Sequence, residues 1–415
     1  MTEIKFLGGA DEVGKEAILL KTGKENILLD YGTNVQTMET PMQPDVPIDA
    51  VFLSHAHLDH SGYIPILYKN GYRKGVWATN ETFELSHILL KDSLKVQKKK
   101  GLVSKFAAGH IDMMYANKRV LGYKQPISIG KSMVTMYNAG HIPGSASTLV
   151  DTGKKRIIFT GDIKFIPTEI SPGADTSYKN IDVLISESTY SYKDHPDRVI
   201  LANGLRGHVK DVVNRGGTAI IPCFAVGRTQ EMLVNLTGLG IPVYLDGMGI
   251  RATEAMLRYP ASLKNPKEVQ QAFKEAIKVR SSRQRKEALK RDCIIISTAG
   301  MLQAGAVTYY IKKLYNDERN ALLLTGYQVD GTPGRELLDT GRFVQDETDV
   351  VPKMEVRFLD FSDHCDKQNL MKFFNKVKPK KIVLVHGERT GEFAEELNEK
   401  GFDAQAPKAG DVIQV

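Results

Sequence analysis

The stretch Val51-Phe52-Leu53-Ser54-His55-Ala56-His57-Leu58-Asp59-His60 places four metal-ligand side chains within six residues. It follows an apolar run and precedes residues 61–68, which have helical character, so we expect a strand-to-helix loop. Its first two histidines, His55 and His57, can close on one cation, whereas Asp59 and His60 can close on a second. Imidazole and carboxylate together favour zinc over magnesium or calcium. A chance surface cluster is the alternative, and the density of ligands argues against it.

Length and composition indicate a soluble protein with two domains. At 415 residues the chain can build two separate cores, and its 42% hydrophobic and 25% charged residues are ordinary values. No apolar run is long enough to span a bilayer and no leader opens the chain, so we expect no membrane partner. Three cysteines (Cys223, Cys293 and Cys365), none in a CxxC pair, argue against a disulfide framework and favour a cytoplasmic location.

The net charge of +7 favours a polyanionic partner. Basic residues concentrate in three runs, at residues 91–105, 274–291 and 376–381. Solvated helix faces are the alternative explanation for each run.

The pattern of apolar segments changes near residue 195. Before it, short strands alternate with turns and a few helices, including one at residues 61–68, which predicts an α/β layered domain with antiparallel or mixed sheets. After it, strands are separated by helices, including one at residues 267–277, as in parallel βαβ units.

Three further ligand candidates each follow a predicted strand and lie beside glycine. They are His141 in Ala139-Gly140-His141, Asp162 in Thr160-Gly161-Asp162, and His386 in Val385-His386-Gly387. A single residue of this kind is more often a turn or cap residue, but together they indicate ligands at strand ends.

Seven protein ligands are too many for one tetrahedral catalytic zinc, which keeps about three plus water. We therefore expect two zinc ions that share Asp162. We assign His55, His57 and His141 to the first ion, and Asp59, His60 and His386 to the second. Such a pair can generate hydroxide at neutral pH for attack on phosphorus.

This ligand set resembles the metallo-β-lactamase superfamily, in which Asp30 of Leu28-Leu29-Asp30-Tyr31-Gly32 would support the ligand loop by hydrogen bonds. A simple cap is the alternative for Asp30. The resemblance implies an α/β fold: a metallo-β-lactamase αββα sandwich.

Further motifs resemble those of β-CASP ribonucleases over essentially the whole chain. The resemblance covers Ile185-Ser186-Glu187-Ser188-Thr189, Phe361-Ser362-Asp363-His364, and Gly227-Arg228-Thr229-Gln230-Glu231. It implies a catalytic Glu187, which orients His364, and a catalytic His364, which protonates the leaving 3′ oxygen. Asp59 would orient the attacking hydroxide.

The resemblance also implies an inserted β-CASP α/β domain with a parallel sheet. We expect metallo-β-lactamase parts at residues 1–193 and 359–415, with the β-CASP domain at residues 194–358. His55-Ala56-His57-Leu58-Asp59-His60 is similar to the branch related to the eukaryotic pre-mRNA 3′-end cleavage subunit, and to an archaeal form without KH domains. Arg228 and Ser297 are the candidate substrate-binding residues, since a guanidinium suits bidentate phosphate contact.

The expected function is therefore zinc-dependent hydrolysis of RNA phosphodiester bonds in RNA processing or decay, as an endonuclease, a 5′–3′ exonuclease or both. Single-stranded RNA is the expected partner, with single-stranded DNA and a homodimer as further candidates. A catalytically weak RNA-binding subunit of a 3′-end processing or termination complex is one alternative, and a small-ester metallo-hydrolase is another.

Overall fold

The computed structural model describes residues 2–415, which divide into two units. Unit 1 comprises the residues up to Pro167, together with Pro172–Asp194 and His364–Val415. Unit 2 comprises Thr168–Ser171 and His195–Asp363. Unit 2 therefore interrupts unit 1 along the chain.

The strands of unit 1 form two seven-stranded sheets. Sheet I contains, in spatial order, β22 (Val412–Gln414), β1 (Glu3–Gly8), β2 (Ala17–Lys21), β3 (Asn26–Leu29), β4 (Ala50–Phe52), β5 (Val76–Ala78) and β6 (Lys118–Val120). Sheet II contains β21 (Ala404–Gln405), β20 (Lys381–Val385), β11 (Val183–Glu187), β10 (Arg156–Phe159), β9 (Ala146–Asp151), β8 (Ser132–Asn138) and β7 (Ile127–Ile129). Both sheets mix parallel and antiparallel pairs.

Alternate residues of these strands enter two different cores. In β3, Ile27 and Leu29 belong to a core shared by the two sheets, whereas Leu28 belongs to a second core under the helices. In β11, Ile185 faces the shared core and Leu184 faces the other side of sheet II. Because successive side chains point to opposite faces, a strand buried on both sides carries a continuous apolar run, at residues 27–29 in β3 and 183–185 in β11. The expected αββα sandwich is confirmed.

The helices of unit 1 cover the outer faces of the two sheets. Those with side chains in the core on the outer face of sheet I are α2 (Ile64–Lys69), α3 (Asn80–Lys99) and α4 (Ala108–Ala116), after the single turn α1 (Leu58–Ser61). Those with side chains in the core on the outer face of sheet II are α12 (Lys367–Val377) and α13 (Thr390–Glu399).

The single helix expected at residues 61–68 is wrong in its bounds. The structure has α1 and then α2, with Gly62 and Tyr63 between them. Pro65 occupies the first turn of α2, where its missing N–H and fixed φ favour a new helix start over a continuation. The early start of α1 places Asp59 and His60 within a helical turn.

Unit 2 is built on a six-stranded sheet in which every pair is parallel. Its spatial order is β14 (Ile277–Val279), β13 (Val243–Asp246), β15 (Ile294–Ser297), β12 (Ala219–Pro222), β16 (Ala321–Leu324) and β19 (Glu355–Phe358). A separate hairpin joins β17 (Phe343–Gln345) and β18 (Thr348–Val350). The helices are α5 (Arg198–Asn214), α6 (Arg228–Leu236), α7 (Gly249–Met256), α8 (Pro266–Glu275), α9 (Ser282–Ala288), α10 (Ala306–Leu314), α11 (Pro333–Thr340) and the 3-10 turn Pro260–Ser262.

Helices cover both faces of this parallel sheet. Ile221 and Ile296 pack on one face with α5 and α6, whereas Ile220 and Ile295 pack on the other with α10. The expected parallel α/β domain is confirmed. The helix expected at residues 267–277 ends at Glu275 instead, and Ile277 begins the edge strand β14.

Two further findings bear on the sequence expectations. Cys223, Cys293 and Cys365 are buried and form no disulfide bond. Within residues 2–415, no helix combines the length and the apolar character needed to cross a membrane.

Candidate metal centre

The ligand candidates converge because they follow strands that end at neighbouring positions. The strands β10, β11 and β20 are mutually parallel neighbours, so their carboxyl ends lie at one edge of sheet II. Asp162 follows β10, Glu187 ends β11 and His386 follows β20. The histidine-rich loop after β4 of sheet I supplies the remaining side. All of these residues belong to unit 1.

A first ligand cluster consists of His55, His57, His141 and Asp162. The Nδ1 atom of His57 lies 3.1 Å from the Nε2 atoms of both His55 and His141. The Oδ2 atom of Asp162 lies 3.4 Å from His55 Nε2 and 3.5 Å from His141 Nε2. Ligand atoms about 2.1 Å from a tetrahedral zinc ion would be about 3.4 Å apart. The cluster therefore has the size of a zinc site.

A second ligand cluster consists of Asp59, His60, His386 and the other oxygen of Asp162. The Oδ1 atom of Asp162 lies 3.3 Å from His60 Nε2, and Asp59 Oδ2 lies 3.5 Å from His386 Nε2. Three buried atoms here, His60 Nε2, His386 Nε2 and Asp162 Oδ1, have no hydrogen-bond partner in the described chain. Buried polar atoms without partners are costly, and a cation would satisfy all three. The donor set of these residues suits a metal ion.

Asp30 supports the ligand loop through hydrogen bonds to Ser54 and His60. Its backbone takes a φ of 56°, and its fully buried carboxylate accepts hydrogen bonds from Ser54 N at 2.6 Å, Ser54 Oγ at 2.6 Å and His60 Nδ1 at 2.7 Å. Because His60 donates its Nδ1–H to Asp30, its Nε2 atom carries the lone pair, and this lone pair faces the second cluster.

Two hydroxyl groups fix further histidines in the same way. Ser54 Oγ donates to Asp30, so it accepts from His55 Nδ1 at 3.0 Å. Thr189 Oγ1 donates to the carbonyl of His386, so it accepts from His386 Nδ1 at 3.1 Å. In both cases the Nε2 atom is left to face the ligand clusters. The sequence did not identify Ser54 or Thr189, since nothing but proximity to a motif distinguishes either residue.

Glu187 and His364 form a pair beside the clusters. The Nδ1 atom of His364 lies 3.0 and 3.2 Å from the two carboxylate oxygens of Glu187, and Ile163 N donates to Glu187 Oε1 at 2.7 Å. The Lys164 ammonium group donates to the carbonyl of His364 at 2.8 Å. Glu187 is buried, whereas 22% of the His364 side chain is exposed. Of this pair, His364 is therefore the member accessible to a substrate.

The local environment shifts the histidine pKa values in both directions: the pKa is lowered at His55 and His57 and raised at the ligands His60 and His386, as well as at His364. Burial lowers the pKa of His55 and of His57, which favours the neutral imidazole that binds a metal ion. Burial also lowers the pKa of His364, but the carboxylates of Glu187 and Asp162 outweigh it, so the pKa is raised overall. Burial raises the pKa of Glu187, but the neighbouring His364 outweighs burial, so the pKa is lowered overall. The neighbouring carboxylates therefore favour the protonated form of His364.

One buried acid was not identified from the sequence. Both carboxylate oxygens of Glu16 are buried without a hydrogen-bond partner among residues 2–415, and its backbone N–H donates to the carbonyl of Asp59 at 2.8 Å. Burial raises the pKa of Glu16 to about 8. An acidic residue at the start of an apolar strand carries no sequence signal for this position.

The two candidate substrate-binding residues lie in unit 2 and are buried. The Arg228 guanidinium pairs with Glu231 and with Asp363, at 3.0 Å from Asp363 Oδ2. Ser297 is fully buried at the end of β15, where its hydroxyl contacts the carbonyl of Thr298 at 3.4 Å. A role for either residue in substrate binding stays a prediction.

A metallo-beta-lactamase superfamily domain matches residues 18–188, a Beta-Casp domain matches residues 229–337, and a Zn-dependent metallo-hydrolase RNA specificity domain matches residues 349–407. The chain is 37% identical over 429 residues to the protein named "Probable RNase MJ4" of Methanocaldococcus jannaschii, and the match covers all of both chains.

Other relatives carry names of two kinds. The chain is 35% identical to "RNase aCSPSF2" of Saccharolobus solfataricus, covering 99% of this chain and 85% of that protein. It is 34% identical to "Transcription termination factor FttA" of M. jannaschii, covering 93% of this chain and 67% of that protein. A crystal structure of an Enterococcus faecalis V583 protein of unknown function has a TM-score of 0.63 and 16% identity, and covers 99% of both chains. This last similarity shows the fold alone.

Proposed function

Because the chain belongs to the β-CASP family of the metallo-β-lactamase superfamily, we propose that it is a metal-dependent ribonuclease. The family relationship is the one that the motifs indicated. The observation that carries the proposal is the pair of ligand clusters with His364 and Glu187 beside them. The match to an RNA specificity domain and the relatives named RNases support RNA as the substrate.

Two zinc ions are proposed for the two ligand clusters. His55, His57 and His141 would hold one ion, Asp59, His60 and His386 would hold the other, and Asp162 would bridge them. The imidazole and carboxylate donor set favours zinc. When bound, such a pair activates water at neutral pH and stabilises charge on a phosphoryl group.

The chain's own residues supply the proton that the leaving group needs. His364 is partly exposed, and the carboxylates of Glu187 and Asp162 raise its pKa, which favours the protonated ring of a proton donor. Glu187 fixes the ring through Nδ1, which leaves the Nε2–H to donate to the departing 3′ oxygen of the ribose. Asp59, which is 23% exposed, lies at the rim of the second cluster and would orient the attacking water.

A metal titration coupled to RNA cleavage tests this proposal. Chelator-treated protein should hold no zinc and cleave no RNA, and adding zinc should restore cleavage as the bound amount approaches two ions per chain. The substrate should be internally labelled or 5′-labelled RNA carrying a 5′-monophosphate or triphosphate. Mononucleotides released from the 5′ end would indicate an exonuclease, and discrete fragments an endonuclease. Full binding of zinc without cleavage of any of these RNAs would refute the proposal.

A second candidate function follows from the names of the relatives. Several are called transcription termination factors, so a role as an RNA-binding subunit in termination or 3′-end processing is the alternative. Retention of every expected metal ligand favours the enzyme. A small-ester hydrolase has less support, because the RNA specificity domain match would then be unexplained. A cytoplasmic location, a homodimer and cleavage of single-stranded DNA stay predictions.

A further inference from the structure

A pocket of about 400 Å³ lies in unit 2, and none of the residues that line it belongs to the ligand clusters. It opens where β13 and β14 end, since the last residues of these strands, Asp246 and Val279, are paired in register. Parallel sheets bind ligands at the carboxyl ends of their strands, and this volume lies in the range of small-ligand sites.

Three arginines line the pocket against a single acid. Asp246 is buried and already neutralised, because Arg285 donates to its two oxygens at 2.6 and 3.0 Å and Tyr310 donates at 2.8 Å. Arg280 uses one nitrogen on Glu254 at 2.6 Å, yet 59% of its side chain is exposed. With Arg285 paired to Asp246 and Arg280 paired to Glu254, the positive excess facing solvent is the charge of Arg251.

Of the three arginines, Arg251 has the fewest polar contacts with other side chains. Its side chain is exposed at the start of α7 and makes no hydrogen bond or ion pair with any residue of the described range 2–415. Ser281 and Ser282 add hydroxyl groups to the same wall. Guanidinium forks and hydroxyl donors are the groups that bind phosphate oxygens.

The lining also indicates which kind of phosphate would bind. No aromatic side chain lines this pocket in the described part of the chain, so it offers no ring on which a base could stack. A nucleotide-specific site needs such contacts, whereas a backbone phosphate needs charge alone. Arg280 and Arg285 also belong to the basic run at residues 274–291, for which a solvated helix face was the alternative explanation.

We propose that Arg251, Arg280 and Arg285 bind a backbone phosphate of single-stranded RNA at a site separate from the metal centre. The proposal rests on the proposed function, because it takes RNA as the substrate. Binding here is independent of sequence and adds affinity through charge.

The test compares two double variants in the chelator-treated protein. Arg251→Gln with Arg280→Gln removes two pocket charges, and Arg285 is retained because it neutralises buried Asp246. The control, Arg283→Gln with Arg291→Gln, removes two exposed charges of the same basic run outside the pocket. Fluorescence anisotropy of a labelled oligouridine gives the affinity over a series of salt concentrations.

The pocket variant should bind RNA about tenfold more weakly than the control does. Its salt dependence should also fall by a slope of about 0.7, for one lost phosphate contact on a single strand. Equal losses in both variants would assign the effect to diffuse charge and overturn the proposal. Competition by AMP or pyrophosphate that depends on these arginines, without a matching loss of RNA affinity, would also overturn it.

A cleavage assay with zinc separates this inference from the ribonuclease proposal. Arginine-dependent RNA binding without cleavage by the wild-type protein would support the pocket and refute the ribonuclease. Cleavage by a protein whose pocket and control variants bind RNA equally would do the reverse.

Discussion

Replacing Asp30 with asparagine tests how a residue that faces no substrate controls the second ligand cluster. Asp30 Oδ1 accepts from Ser54 N, and Asp30 Oδ2 accepts from both Ser54 Oγ and His60 Nδ1. The amide can present an oxygen on one side only. With its NH₂ group in the place of Oδ2, two donors face each other at His60 unless the proton of this ring moves to Nε2.

Such a tautomer change should lower the unfolding free energy of the metal-free protein slightly, but it should weaken zinc binding strongly. The metal-free fold exchanges hydrogen bonds to a charged group for neutral ones, so we expect it to lose about 1–3 kcal/mol of unfolding free energy. Zinc binding at the second cluster requires the lone pair of His60 Nε2, which then carries the proton. Loss of a supporting partner of this kind weakens metal affinity about ten- to hundredfold.

The assay is a zinc titration against a competing chelator, with circular dichroism to show that the variant is folded at the same temperature. Asp182→Asn is the matched control, because Asp182 also accepts from a backbone N–H, that of Arg156 at 2.8 Å, but lies outside the clusters. The variant at Asp30 should lose zinc affinity at the second cluster, because residue 30 contacts His60 directly, and the control should keep both ions. Two ions bound to Asp30→Asn with wild-type affinity would refute this account of the loop.

Four further predictions concern the proton donor and the buried contacts around it. His364→Ala should keep both zinc ions and lose about 10²–10⁴-fold in the rate of RNA cleavage. A variant that binds the same amount of zinc and cleaves RNA at the wild-type rate would contradict the role of His364. In Glu187→Gln, the raised pKa of His364 falls, so the loss of kcat/KM at alkaline pH should begin at a lower pH than in the wild type; a limb that does not move would argue against the pair. Thr189→Val removes the hydroxyl that orients the last histidine ligand and should weaken zinc binding by up to about tenfold in the same chelator titration, whereas unaltered affinity would exclude this role. Arg198→Ala leaves the buried carboxylate of Glu231 and the partly buried one of Asp363 with one fewer partner, and denaturant unfolding should show a loss of about 3–5 kcal/mol; an unfolding free energy equal to that of the wild type would contradict this.

The sequence predicted those parts of the fold that depend on local pattern. Strands buried on both faces, such as β3 and β11, contain short apolar runs, at residues 27–29 and 183–185, and runs of this kind predicted the short strands before residue 195. The break between α1 and α2 was missed because the helical pattern continues across it, and only Pro65 marks the restart. The strand β14 is three residues long and has a single buried residue, so its pattern is too weak to recognise.

The candidate site shows the same division. His55, His57, Asp59 and His60 were found together because they are adjacent in sequence, and their assignment to two zinc ions stays a prediction. Ser54 and Thr189 orient ligands through single hydroxyl groups whose partners only the folded chain reveals. The buried partners of Arg228 depend on tertiary packing, which places Asp363 against it from 135 positions along the chain.

The position of β20 has a consequence for the order in which the protein is made. This strand lies beside β11 in sheet II, although unit 2 separates the two along the chain, and His386 follows it directly. A growing polypeptide therefore holds the whole first cluster, and Asp59 and His60 of the second, long before it acquires His386. On the proposed function, a ribosome carrying an unfinished copy presents no complete nuclease to the message it is reading.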